Sequence, residues 1–140
     1  MPDLAKLRQE HAQLVGIVRR LGTFIARPAS PAQTELFELR RELTSTLIAH
    51  LKAEDWVLYP RLLASADATV ARTARAFSTE MGGLAQAYTV YAEKWGADAI
   101  QRNWAGYCED TRGFVEALTR RISRENRELY PLLEALDKAA

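Results

Sequence analysis

The chain has one cysteine, Cys108, in 140 residues. A lone thiol excludes an internal disulfide framework and a zinc-type cysteine spacing, and it makes a reducing cytoplasm the expected compartment. Neither sign of charge dominates. There are 19 Lys and Arg against 18 Asp and Glu, a net charge of +1, with no long block of either sign, which argues against a nucleic-acid partner. The longest apolar run is only a few residues, too short for a membrane span. The opening Met1-Pro2-Asp3-Leu4 has no basic cluster followed by an apolar stretch, so no signal peptide is expected. There is no β-type alternation, no Gly-rich phosphate loop and no Ser-His-Asp constellation, and the chain is not expected to be an enzyme.

What is present is helical. The length fits one domain, 1–140, large enough to bury about two-thirds of its unfolded surface. Gly and Pro mark three breaks, at Arg27-Pro28-Ala29-Ser30-Pro31, at Leu63-Ala64-Ser65-Ala66-Asp67 after Pro60, and at Trp95-Gly96-Ala97-Asp98. Ser30 reads as an N-cap with Pro31 at the first helical position, and Asp98 as the cap of the last stretch. Four stretches remain, each with one apolar stripe at helical spacing: Leu4 to Leu21, Leu36 to Val57, Val70 to Tyr91 and Ile100 to Glu125. Four amphipathic helices with short connections predict an all-α, up-down-up-down antiparallel four-helix bundle.

Five residues interrupt those stripes where an aliphatic side chain would serve stability better: His11, His50, Glu54, Arg121 and Glu125. Buried charge is costly unless paired or metal-bound, so these five should meet in the core. The chain also repeats itself. Leu47, His50, Glu54, Leu58, Tyr59 and Pro60 align with Leu118, Arg121, Glu125, Leu129, Tyr130 and Pro131 at an offset of 71 (125 minus 54). Glu10, His11 and Leu14 align with Glu80, Met81 and Leu84 at an offset of 70 (80 minus 10). His and Glu four apart lie on one helix face and can approach one ion together. Two such hairpins facing each other would surround a pair of ions. Here one half keeps His11, His50 and Glu54, while the other keeps only Glu125.

Along Glu10-His11-x-x-Leu14, Leu47-x-x-His50-Leu51-x-x-Glu54-Asp55-x-x-Leu58-Tyr59-Pro60, Glu80-Met81-x-x-Leu84 and Leu118-x-x-Arg121-Ile122-x-x-Glu125-Asn126-x-x-Leu129-Tyr130-Pro131, the chain resembles the hemerythrin-like family, the HHE cation-binding domain. The resemblance spans nearly the whole chain. It implies a four-helix bundle of the kind that holds a non-haem di-iron centre and handles oxygen, nitric oxide, peroxide or iron. It also implies that His11 and His50 are terminal ligands of one metal site and that Glu54 and Glu125 are bridging carboxylates. Met81 and Arg121 are substitutions at two ligand positions of the other site. Arg keeps its proton and cannot ligate a cation, and a thioether is a soft donor ill suited to iron.

Two pictures of the core therefore stand open. A protonated His can cancel the surplus negative charge of Glu54 and Glu125 over Arg121, giving an ion cluster with no metal. Alternatively one iron or other divalent ion sits among His11, His50, Glu54 and Glu125, with Arg121 replacing the second ion electrostatically. The leading expectation is a degenerate metal site with at most one ion, in a protein that senses, regulates or binds a partner. A redox-active non-haem iron protein, with Glu80 or a Tyr as replacement ligand, is the alternative, and metal storage or delivery is a third. Tyr88, Tyr91 and Tyr107 could offer hydroxyls to the pocket but read first as core aromatics with a satisfied polar tip, whereas in Tyr59-Pro60 and Tyr130-Pro131 each Pro removes a helix hydrogen bond and should kink or end its helix. Met81 reads as core filling, Cys108 as an inert thiol, and Gly82-Gly83 as a close approach or distortion inside a helix. Trp56 is a candidate surface for a protein partner or homodimer.

Overall fold

A computed structural model describes residues 3–139. Among them the chain is all helical, with no strand. Eight α-helices run in order: α1 (Leu4–Ile25), α2 (Gln33–Lys52), α3 (Tyr59–Leu63), α4 (Ala68–Met81), α5 (Leu84–Lys94), α6 (Ala97–Arg102), α7 (Trp104–Arg124) and α8 (Tyr130–Ala139). Two π-helical segments, Ala53–Leu58 and Glu125–Leu129, join α2 to α3 and α7 to α8 without a break. No helix is long and apolar enough to cross a membrane.

The three expected breaks fall where Gly, Pro and the capping residues put them, but the caps differ in detail. Asp3 caps α1 by accepting from the Ala5 N–H at 2.9 Å, and Asp67 caps α4 by accepting from Thr69 and Val70 at 2.9 and 3.1 Å. Ser30 does not cap α2. Its hydroxyl donates to the Pro31 carbonyl at 3.3 Å, and the helix starts two residues later, after Ala32. Asp98 lies inside the first turn of α6, after Gly96. The last stretch is interrupted at Asn103, whose side chain caps α7 by accepting from Gly106 at 3.0 Å.

The core is two hydrophobic clusters separated by a polar layer. One holds Leu14, Leu21, Leu43, Leu47, Tyr107 and Leu118 among others, and the second is built from Leu7, Leu58, Leu62, Phe77, Leu129 and Leu133 with their neighbours. Between them along the chain lie His11, His50, Glu54, Arg121 and Glu125, all buried.

The two π segments explain where the stripe reading slips. The N–H of Tyr59 reaches the Glu54 carbonyl and that of Tyr130 reaches the Glu125 carbonyl, each five residues back instead of four. Pro60 and Pro131 follow directly. Proline has no N–H to donate, and its ring would meet the carbonyl four residues back in a regular turn, at Trp56 and Arg127. Widening the turn by one residue relieves that clash, so the rods run on rather than ending. The extra residue also rotates the helix face. Val57, expected on the stripe, is 39% exposed, while Leu58 and Tyr59 turn inward.

Gly82-Gly83 lies at the junction of α4 and α5. A Cβ on Gly82 would come within 2.4 Å of the Ser78 carbonyl oxygen, whereas one on Gly83 would meet nothing within 4 Å. Gly82→Ala should destabilise the fold by about 1–3 kcal/mol, and Gly83→Ala should stay within about 0.5 kcal/mol of wild type. Urea unfolding of the two variants checks the contrast; equal losses would mean that the junction is not where the backbone is tight.

Candidate metal centre

Each element places one donor in the polar layer. His11 comes from the middle of α1 and His50 from the last turn of α2, while Glu54 and Glu125 stand in the first turn of each π segment. One atom from each of these four buried side chains lies within 4.8 Å of the other three. The His11 Nε2 is 3.1 Å from Glu125 Oε1, and the His50 Nε2 is 3.1 Å from Glu54 Oε1.

The outward nitrogens orient the rings. His11 Nδ1 lies 2.8 Å from Asn126 Oδ1, and His50 Nδ1 lies 2.8 Å from Glu10 Oε1. An amide or carboxylate oxygen only accepts, so each Nδ1 donates outward and each Nε2 faces the layer, opposite a carboxylate oxygen. The His50 Nε2 and the Glu125 Oε1 have no hydrogen-bond partner at all, although both are buried. A buried group left so costs about 1–3 kcal/mol, which a shared cation removes. Two imidazole nitrogens and two carboxylate oxygens suit a first-row divalent ion, and an outer acceptor on each ring is the usual support of such ligands.

Arg121 fills the other side. Its Nε donates to Glu125 Oε2 at 3.2 Å, its Nη1 to the Met81 carbonyl at 3.2 Å, and its Nη2 to Glu54 Oε1 and Asp55 Oδ1 at 3.2 and 2.6 Å. Its guanidinium carbon lies 5.4 Å from the centre of the Tyr59 ring. Burial opposes the charge on Arg121, but Glu125, Glu54 and Asp55 outweigh it and raise its pKa further. Burial likewise opposes charge on Glu54, yet His50 and Arg121 hold it down to about 2. Glu125 shifts upward, through burial and the neighbouring Glu54. His50 also shifts upward: burial lowers it, and the nearby carboxylates of Glu54, Glu10 and Glu125 more than restore it.

The hemerythrin HHE cation-binding domain model matches residues 2–133. The chain belongs to that family. Searches of curated proteins and of solved structures matched nothing.

In this HHE domain, the five polar stripe residues meet as the stripes required. Arg121 lies against both glutamates, and Met81 contributes only its backbone carbonyl to the network. The three stripe tyrosines that could offer hydroxyls to the pocket are core aromatics instead, as the sequence reads them first. Tyr88 pairs with Thr44 at 2.6 Å and Tyr91 with Thr111 at 2.7 Å, and Tyr107 is buried with no partner for its hydroxyl, all within the first hydrophobic cluster. The hydroxyls that do reach the layer belong to Tyr59, donating to Glu125 Oε2 at 2.6 Å, and Tyr130, donating to Glu54 Oε2 at 2.5 Å. The sequence signal was available, because both tyrosines sit in the repeated unit directly before a proline, but a proline there reads equally as a kink or a helix end. Glu80, a candidate replacement ligand, is held at the surface by Arg120 at 3.2 Å and by Arg124. Cys108 is free and buried, and burial raises its pKa.

Removing the guanidinium while keeping its bulk should leave two buried carboxylates uncompensated. Arg121→Met is expected to destabilise the metal-free protein by about 3–5 kcal/mol, measured by urea unfolding in chelator. A loss below about 1 kcal/mol would show that Arg121 is not holding the layer together.

Proposed function

We propose that this HHE domain holds one first-row metal ion, iron or another divalent, through His11, His50, Glu54 and Glu125. Arg121 stands as a permanent cation where the repeat would place a second ion, and occupancy serves sensing or regulation rather than turnover. The observation that carries this reading is the pair of orphaned atoms, His50 Nε2 and Glu125 Oε1, converging with two further donors beside a guanidinium. The ion, when bound, supplies positive charge and Lewis acidity to the layer. The chain's own residues do the rest. Glu10 and Asn126 aim the rings, Tyr59 and Tyr130 hold one oxygen of each glutamate, and the two hydrophobic clusters exclude water from either side. The missing half has no substitute ligand, since Glu80 is committed to two arginines. That favours one ion over two, and hence favours this reading over a di-iron redox centre.

We also read the chain as one hemerythrin-like bundle of up-down-up-down topology. Support comes from how each rod passes the polar layer. Leu7 to Leu14 and Phe77 to Leu84 run from the second cluster to the first, whereas Leu51 to Leu58 and Ile122 to Leu129 run the opposite way.

Metal analysis of protein purified without an affinity metal tests the proposal. About one ion per chain is expected, falling to near none in His50→Ala. Met81→His combined with Arg121→His should raise the count toward two. Two irons in the wild type with an oxo-type spectrum, or no metal after anaerobic ferrous loading, would overturn it.

Stability should also respond to pH with opposite signs in the two forms. In the metal-free protein the raised pKa of His50 contributes stability that is full below 6.5 and lost as pH rises through its folded value. The raised pKa of Glu125 acts in the same sense. With an ion bound, the imidazoles cannot take a proton, so the unfolded chain binds more protons and stability increases with pH through 6.5. Thermal melts from pH 5 to 8, with and without metal, should give slopes of opposite sign. Parallel slopes would remove the histidines from the binding site.

A further inference from the structure

We infer that Tyr130 is a fifth donor in this centre, binding ferric iron through its phenol oxygen while its repeat partner Tyr59 does not. The inference rests on the one-ion reading and adds a ligand to it. Tyr59 and Tyr130 are equivalent by the internal repeat (130 minus 59 is 71), and each follows a π segment directly. Each crosses to the other half's glutamate, Tyr59 to Glu125 and Tyr130 to Glu54. Their surroundings then diverge. The Tyr59 ring lies over the Arg121 guanidinium, a cation with no site to offer an oxygen ligand. The Tyr130 ring stacks on His11, with centroids 5.2 Å apart and planes 9° apart.

That stacking brings the Tyr130 hydroxyl oxygen 3.3 Å from His11 Nε2. The single hydroxyl proton points to Glu54 Oε2 at 2.5 Å. His11 Nδ1 is turned outward to Asn126, so Nε2 is the ring atom that faces that oxygen and, at 3.1 Å, Glu125 Oε1. Adjacent donors on one ion with bonds of about 2.1 Å stand about 3.0–3.4 Å apart, so the spacing fits two neighbours in one coordination shell.

Four carboxylates, Glu10, Glu54, Asp55 and Glu125, surround the layer against the single guanidinium of Arg121, so the site favours a highly charged cation. When Tyr130 binds ferric iron, its O–H bond breaks, the oxygen–iron bond forms and the proton is released to solvent. Phenolate is a hard oxygen donor, and tyrosine is a known axial ligand of ferric haem.

The test loads the full chain with ferric nitrilotriacetate. Wild type should bind about one iron and show a visible phenolate-to-iron absorption band, and Tyr59→Phe should keep that band per bound iron even where the loss of its bond to Glu125 weakens binding. Tyr130→Phe should bind iron at the same stoichiometry with the band reduced at least tenfold. Resonance Raman on wild type grown with ring-deuterated tyrosine should show shifted phenolate modes, which keeps the test decisive if Tyr130→Phe fails to fold. Iron bound at one per chain with no phenolate modes would overturn the inference and leave the one-ion reading intact. A band that survives undiminished in Tyr130→Phe would overturn it too. No ferric iron bound by any form would overturn this inference, while the one-ion reading stands or falls on the metal analysis of the purified protein and its ferrous loading.

Discussion

One buried guanidinium organises this core. Arg121 reaches both glutamates, Asp55 and a backbone carbonyl at once, so a single side chain neutralises charge contributed by both π segments. Ion pairs stripped of water are rarely a net gain over a well-packed apolar layer, because desolvation opposes them. In the middle of a core that is otherwise Leu-rich, the members hold one another in place, because removing one alone leaves the others uncompensated. The layer also divides the apolar interior into two clusters, and each helix passes it in a fixed register. Slipping a rod by one residue would take His11 or Glu54 out of the layer and put an aliphatic group into it.

The π segments are the second constraint, and they act through the backbone. The carboxylates already face inward, four residues after His50 and Arg121. The extra residue in the turn that follows swings the next tyrosine inward to meet the opposite glutamate. Proline at 60 and 131 makes a regular turn costly at the same place, so sequence and geometry agree. The two halves are thereby cross-wired: neither hairpin contains all the partners of its own glutamate.

Much of this was legible in the residues. The five polar interruptions of the stripes, the offset of 71 and the pairing of Arg121 with two carboxylates follow from periodicity and from the cost of burying charge. The helix ends were less so. Asn103 caps α7 by a local side-chain bond that a reading based on Gly and Pro passes over, and Ser30 looked like a cap but bonded its neighbour instead. The roles of Glu10, Asn126, Asp55, Tyr59 and Tyr130 were hidden for a different reason. Each depends on which way a side chain leans across an interhelix gap, and on the face rotation at a π turn. Spacing along one chain does not encode either, so aromatic residues on the regular stripe drew attention away from the two that matter.

The clamp of Arg120 and Arg124 on Glu80 closes the vacated half from the outside. Glu80 is the repeat counterpart of Glu10, which steadies His50 from the rim. With no imidazole beside it, that carboxylate straps α4 to α7. An engineer wishing to build two-ion binding into this half would have to free this strap as well as supply new donors, because the rim as it stands secures one helix to its neighbour instead of orienting a ring.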